Sequence, residues 1–156
     1  MVTNMLGHPN LFSRLVVMLQ REVALRMIAP VNDRKRGSLS VYCQLLSDVK
    51  SVLRVPPGAF YPPPKVESSV INLTLRRHPA LLLYPMAWSG IEKTVRMGFS
   101  HPRKTIRNNL KKRYSDTVLV KSLEEVGISP RLRPANIENE EWVRLSKALE
   151  INDTMC

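Results

Sequence analysis

The sequence is poor in the residues that form metal centres, disulfide frameworks and phosphate-binding loops. Its two cysteines, Cys43 and Cys156, fit neither a metal-ligand spacing nor a disulfide framework. Its six glycines include no GxGxxG or GxxxxGK[ST] motif, and its three histidines are far apart. No pair of carboxylates has a spacing typical of general acid and base catalysis. We therefore expect no metal site and no autonomous active site.

Long apolar segments are also absent. No run of 18 or more apolar residues occurs, and the first ten residues lack the basic start and apolar core of a secretory signal. Together with the scarcity of cysteine, this predicts a soluble intracellular protein with no membrane partner. Its expected location is the cytoplasm, or an organelle or the nucleolus in a eukaryote.

Acidic residues are missing from one part of a strongly basic chain. The formal net charge is +11, and residues 1–115 hold 19 Lys and Arg against 5 Asp and Glu. Between Thr94 and Ser115 there are seven basic residues and no acidic one. Charge runs often form a solvated helix face, but a block this free of acids favours a polyanionic partner.

The first half of the chain predicts an α/β arrangement. The continuous apolar run at 15–19 is typical of a strand buried on both faces, as in a parallel sheet. Helices are predicted at 20–29 and 38–46. Two strands, at 47–55 and about 71–76, flank a proline-rich loop and are expected to pair in antiparallel fashion at the edge of the sheet.

The second half predicts helices only. Trp88, Ile91, Val95 and Phe99 recur at spacings of three and four, which indicates one buried helical stripe. Further helices are predicted at 104–114, 117–126 and from 139 onward, after a linker at 78–85. The expected organisation is the last part of an α/β sheet domain, residues 1–78, followed by a small helical domain, residues 79–156.

The stretch AFYPPPKV, residues 59–66, must be a rigid loop. Its three prolines, at 62–64, fix φ and donate no hydrogen bond, so they fit neither a helix nor a central strand. An aromatic ring on a stiff loop can serve as a stacking platform for a nucleobase. The alternative is that Phe60 or Tyr61 fills the core and anchors the loop, and composition alone favours that alternative.

Three segments resemble a known family. They are VPPGAFYPPPKVESSVINL (55–73), VVMLQREVALRMIA (16–29) and RKTIRNNL (103–110), and the likeness extends from about Leu6 to Trp142. The segments resemble the KsgA-type rRNA adenine dimethyltransferases, relatives of the erythromycin-resistance rRNA methylases and of mitochondrial transcription factor B.

The resemblance implies a fold, a reaction and a stacking residue. The implied fold is the end of a Rossmann-like methyltransferase sheet domain followed by a small helical domain that binds RNA. The implied reaction dimethylates two adjacent adenosines of small-subunit rRNA with S-adenosylmethionine as methyl donor, during ribosome biogenesis. Phe60 matches the family residue that stacks on the flipped-out adenine, which reverses the preference for a core role.

The resemblance also gives the basic residues a partner, either small-subunit rRNA or a pre-ribosomal particle. Phosphate contacts of such residues supply affinity and register. Arg34, Lys35 and Arg36 could extend the patch, although a plain surface loop is an equal alternative. The RNA-binding residues implied by the family motifs are Lys65, Arg103, Lys104, Arg107, Asn108, Lys111 and Lys112.

The sequence departs from the family pattern at its start. The Gly-rich cofactor loop, the acidic residue that binds the cofactor ribose and the Asn-Leu-Pro-Tyr motif do not occur in these 156 residues. Truncation, a split enzyme with a missing N-terminal half, and an RNA-binding remnant all fit this departure, and we favour truncation. The alternative functions are a non-catalytic RNA-binding or ribosome-assembly factor and a protein similar to mitochondrial transcription factor B. An unpaired edge and an uncovered apolar face are expected around residues 16–19.

We predict that the isolated chain neither binds S-adenosylmethionine nor methylates RNA, because the motifs that hold the cofactor are absent from it. Isothermal titration calorimetry on the purified chain is the measurement. Saturable heat of cofactor binding would contradict the prediction.

Overall fold

The structure, a computed structural model, describes residues 5–6, 11–76 and 85–154. The chain divides into two compact units, Met1–His78 and Pro79–Cys156. The linker expected at 78–85 lies almost entirely outside the described residues. No helix in the described part of the chain has both the length and the apolar character that crossing a bilayer requires.

Among the described residues, the first unit holds a three-stranded sheet and two α-helices, in addition to the helical residues Met5 and Leu6. Strand β1 (Arg14–Gln20) leads directly into helix α1 (Arg21–Ile28). Helix α2 (Ser38–Leu46) leads directly into strand β2 (Ser47–Val55). Strand β3 (Ser68–Leu75) lies between the other two and is antiparallel to both, so the strand order is β1-β3-β2. The predicted antiparallel pairing of the last two strands is confirmed.

One face of the sheet forms the core of this unit with α1 and α2. Leu15 lies opposite Leu73 in the β1–β3 register, and Val17 lies opposite Ile71. Leu15, Ile71 and Leu73 are all buried. Alternation along β3 places every second side chain on this face, as the period of a strand requires.

The opposite face of the sheet carries exposed apolar side chains. Val16 is 62% exposed and Met18 is 52% exposed. Met18 and Leu53 both lie opposite Val70, so the three form one row across the strands. The prediction that the strand at 15–19 is buried on both faces is therefore wrong, because no element of the described chain covers this side. The predicted uncovered apolar face around residues 16–19 is confirmed.

Polar side chains join α2 and the loop before it to the end of α1. Gln44 Nε2 donates to the carbonyls of Met27 (3.1 Å) and Ala29 (2.8 Å). Arg36 Nη1 donates to the Ala29 carbonyl (3.2 Å) and to Gln44 Oε1 (3.0 Å). These bonds satisfy carbonyls that the end of a helix leaves without partners. Arg36 is buried, so it does not extend an RNA-binding surface, whereas Lys35 beside it is exposed.

The second unit is helical. Helix α3 (Pro85–Gly98) is followed by the short helix α4 (Ile106–Leu110), and then by α5 (Asp116–Val126) and α6 (Asn139–Thr154). Helix α4 is shorter than the predicted helix at 104–114. Helix α5 ends at Gly127, whose φ of 76° is the left-handed conformation that favours glycine.

Trp142 of α6 is the largest side chain in the core of this unit. It is fully buried, and its ring stacks on Phe99 with the centroids 5.6 Å apart. Ile91 and Val95 are buried as well, whereas Trp88 is half-buried, so the predicted apolar stripe is confirmed for three of its four residues. Gly98 lies against the indole: a Cβ atom there would be 2.3 Å from Trp142 Cη2.

Two glycine-to-alanine changes in α3 should therefore have opposite effects on stability. Gly98→Ala should destabilise by about 1–3 kcal/mol, because the new methyl group overpacks against a buried ring. Gly90→Ala is the matched control, since its Cβ would meet only the carboxylate end of the exposed Glu150. That carboxylate can rotate away, and alanine favours a helix over glycine by about 1 kcal/mol. Urea denaturation measures both effects, and equal stability of the two variants would contradict this account.

Candidate nucleic-acid interface

The proline-rich loop begins with a tight turn that positions Phe60. Pro57–Ala59 forms one turn of 3-10 helix directly after β2. The Phe60 N–H donates to the Pro57 carbonyl (3.2 Å), and the backbone of Phe60 is then extended. The ring is thus held by a short turn on one side and by three prolines on the other.

Phe60 lines a cavity of about 380 Å³. Its side chain is half-buried, whereas the neighbouring Tyr61 is fully exposed. The size falls within the usual range of small-molecule sites, about 300–1,000 Å³. The ring therefore borders an open space instead of filling the core. The lining residues come from the loop, the end of β1 and the start of β3: Met18, Leu19, Gln20, Phe60, Tyr61, Pro62, Pro64 and Ser68.

Glu67 holds the other end of the loop. Its carboxylate accepts hydrogen bonds from Arg21 Nη1 (3.1 Å) and Arg54 Nε (3.1 Å). Its carbonyl accepts from the Arg21 N–H (2.9 Å). The hydrogen bond from Arg54 lowers the pKa of Glu67 below its usual value, so the carboxylate stays ionised at neutral pH. Lys65, two residues earlier, is exposed.

A buried asparagine fixes the turn that carries Arg103 and Lys104. Asn109 Oδ1 accepts from the His101 N–H (3.2 Å), and Asn109 Nδ2 donates to the His101 carbonyl (3.1 Å). The Lys104 N–H also donates to that carbonyl, at 2.9 Å. This role of Asn109 is not predictable from the sequence, because nothing in RNNL shows which asparagine points inward.

The short helix α4 separates its core side from its basic side. Ile106 and Leu110 are fully buried. Thr105 caps the helix, since its Oγ1 accepts from the Asn108 N–H at 3.3 Å. The predicted RNA-binding residues of this unit are all exposed and lie on or beside α4: Arg103, Lys104, Arg107, Asn108, Lys111 and Lys112.

Arg107 is already paired within the chain. Its guanidinium makes two hydrogen bonds to Asp116, one of them from Nε to Oδ1 at 3.0 Å. This contact raises the pKa of Arg107 and lowers that of Asp116, so the pair stays ionised at neutral pH. The acid-free segment at 94–115 thus receives a carboxylate from the next helix. Within the described residues, Arg103, Lys104, Lys111 and Lys112 have no ion-pair partner.

The described residues present neither a candidate metal cluster nor a reactive cysteine. They contain no group of three or more His, Cys, Asp or Glu that could hold a metal ion. Burial raises the pKa of the Cys43 thiol to about 12, so this cysteine stays protonated and is a poor nucleophile.

A family profile described as "Ribosomal RNA adenine dimethylase" matches residues 1–150. The chain belongs to this family. The predicted family membership is confirmed, and with it the expectation that the chain derives from an enzyme family.

Relatives in the rRNA adenine dimethylase family are considerably longer than this chain. The "Ribosomal RNA small subunit methyltransferase A" of Syntrophotalea carbinolica is 39% identical over 150 residues, which is 96% of this chain and 56% of that protein. The protein of the same name in Trichormus variabilis is 37% identical over 144 residues, which is 92% of this chain and 52% of that protein. The chain therefore spans about half the length of these relatives.

Two solved structures support the fold of the family. A dimethyladenosine transferase from Plasmodium falciparum has a TM-score of 0.82 at 22% identity, and the match covers 97% of this chain and 62% of that one. The 23S rRNA methyltransferase ErmE has a TM-score of 0.63 at 24% identity, with 96% and 59% covered. The predicted fold class, the end of a Rossmann-like domain followed by helices, is confirmed.

Proposed function

We propose that this chain is the base-positioning and RNA-binding part of an rRNA adenine dimethyltransferase that acts on small-subunit rRNA. In this proposal, residues 1–78 are the C-terminal part of the methyltransferase domain and residues 79–156 bind RNA. The observation that carries it is the half-buried Phe60 ring, which borders a cavity on a loop braced by prolines.

Phe60 supplies a flat apolar surface for the target adenine. An enzyme that modifies a base must remove it from its stack, which costs a few kcal/mol. Stacking on an aromatic side chain returns about 1–3 kcal/mol per base. Since the turn and the prolines already hold the ring, little further ordering cost is incurred on binding. Gln20 and Ser68 add polar groups beside the ring.

The exposed cations supply affinity. Arg103, Lys104, Lys111 and Lys112 lie on one short stretch and make no ion pair among the described residues. Single-stranded RNA releases counterions as its phosphates are neutralised, so binding by such residues weakens steeply with salt. The phosphate contacts fix position and carry little sequence information.

The residues present do not fit the cofactor. S-adenosylmethionine is the methyl donor of this reaction, and nucleotide cofactors of α/β folds are commonly held by a carboxylate on the ribose hydroxyls. The Phe60 cavity is lined by no carboxylate. The carboxylates near it, Glu22 and Glu67, are paired with arginines. We therefore assign binding of the base and of the RNA, but not of the cofactor, to the residues of this chain.

The rival function is a non-catalytic RNA-binding or ribosome-assembly factor. It shares the basic surface but requires no extruded base. A protein similar to mitochondrial transcription factor B would prefer DNA, so competition between single-stranded DNA and RNA separates that case.

Phe60→Ala should remove the preference of the chain for a base at the target position. The test compares oligoribonucleotides containing two adjacent adenosines with versions in which each nucleotide in turn is abasic. For the unchanged chain, loss of one base should weaken binding roughly five- to hundredfold, which corresponds to the energy of one stacked base. For Phe60→Ala that ratio should fall close to one.

Phe60→Trp is the matched control, because it keeps an aromatic face and should keep the ratio. Fluorescence anisotropy measures all the affinities. If the alanine variant retains the full sensitivity to the abasic position, the ring does not stack on the base.

Asp116→Asn should strengthen RNA binding, because it frees the Arg107 guanidinium from its intramolecular partner. We expect the slope of log K against log salt to steepen by about 0.7, the value for one more single-strand phosphate contact. Glu124→Gln is the control: it makes the same charge change at an exposed residue of the same helix that has no ion pair in the described structure. Equal slopes for the two variants would show that only net charge matters.

A further inference from the structure

A second cavity, of about 390 Å³, lies next to the Phe60 cavity and shares Gln20 with it. We call it the basic groove. It is formed by the first turn of α1, the loop before α2 and the end of the proline-rich loop. Its lining residues are Gln20, Arg21, Glu22, Leu25, Lys35, Lys65, Val66 and Glu67.

The carboxylates of the basic groove are already neutralised. Glu67 accepts hydrogen bonds from Arg21 and Arg54. Glu22 is paired with Arg26 one turn along α1. These intramolecular pairs use both acids, so neither acid leaves a free negative charge to repel an anion from the groove.

Lys35 and Lys65 are the charges that remain. Both are exposed, and neither has an ion-pair partner in the part of the chain that is described. Together they give the groove two ammonium groups with unused hydrogen-bond donors. A phosphate group is the anion that such a pair suits, since each ammonium can act as a point charge on its oxygens.

The loop that carries Lys35 is held in place by its neighbours. The Lys35 N–H donates to Asp33 Oδ1 (2.7 Å). The next residue is the buried Arg36, which is bonded to the Ala29 carbonyl and to Gln44. A lysine held at the edge of a groove in this way loses less backbone freedom on binding than one on a mobile loop.

We propose that Lys35 and Lys65 bind one RNA phosphate, the phosphodiester next to the nucleotide whose base stacks on Phe60. The inference rests on the proposed function, because it takes the Phe60 cavity as the base site. The shared residue Gln20 places the groove directly beside that cavity, and in RNA a base and its flanking phosphate are separated only by the ribose. The first unit thus contributes a phosphate contact of its own, in addition to the contacts made by the cations of the second unit.

The test uses the full chain and oligoribonucleotides in which a single phosphate is replaced by an uncharged methylphosphonate, moved one linkage at a time. The unchanged chain should lose about tenfold in affinity when the linkage beside the base-sensitive nucleotide is neutral, as expected for a hydrogen bond to a charged group. Lys35→Gln with Lys65→Gln should bind about tenfold more weakly and be insensitive to that linkage while remaining sensitive to the others. Lys121→Gln with Lys147→Gln is the control, because it removes the same two charges at exposed lysines that make no ion pair in the described structure.

The outcomes separate this inference from the stacking proposal. If the Lys35→Gln, Lys65→Gln variant loses affinity equally at every linkage, or behaves as the Lys121→Gln, Lys147→Gln control does, the phosphate site is overturned. So does a sensitive linkage that lies away from the base-sensitive nucleotide. If no base-sensitive nucleotide exists but one linkage effect disappears in the lysine variant, stacking on Phe60 is wrong and the phosphate site stands. Circular dichroism of the variants verifies that they are folded.

Discussion

Glu67 is the contact on which both cavities depend. Its carboxylate joins Arg21 at the start of α1 to Arg54 at the end of β2, and its carbonyl accepts a hydrogen bond from the Arg21 backbone. Glu67, the residue just before β3, therefore fixes the end of the proline-rich loop both to the end of β2 and to the start of α1. Exposed ion pairs contribute little to stability on average, so this contact is important for the residues that it positions. The same contact positions Ser68 beside Phe60 and removes a negative charge from the basic groove.

The sequence pattern predicted the helices and strands whose formation depends on residues close together in the chain. The helix at 38–46 and the strand at 47–55 agree with the structure to the residue, and Pro56 marks the end of the strand. The strand at 15–19 was placed correctly but its environment was wrong. A continuous apolar run indicates that both faces can be buried, and it does not say whether a second covering layer is present. Only the tertiary structure shows Val16 and Met18 exposed.

The sequence predicted which residues form the candidate site, but not which of them pair with other residues of the chain. Phe60 and the cations followed from motifs in the sequence, whereas the partners of those cations depend on how the chain turns. Asp116 reaches Arg107, nine residues earlier, because the turn between the two helices brings the start of α5 close to α4. From the sequence, Arg36 would be one of three surface cations. It is instead buried, and its guanidinium donates to the Ala29 carbonyl at the end of a helix. Net charge along the sequence therefore overstated the charge available to a ligand.

The apolar row of Met18, Val70 and Leu53 favours self-association of the isolated chain. Exposing these apolar side chains to water is unfavourable by about 25 cal/mol for each Å² of apolar surface. Strand β1 also has β3 as its only strand partner among the described residues, so its other edge carries backbone groups able to pair with another chain. The basic surface opposes such pairing, because a net charge of +11 makes two copies repel each other. Salt screens that repulsion while leaving the apolar row unchanged, so the conditions that weaken binding to RNA are also those that favour self-association.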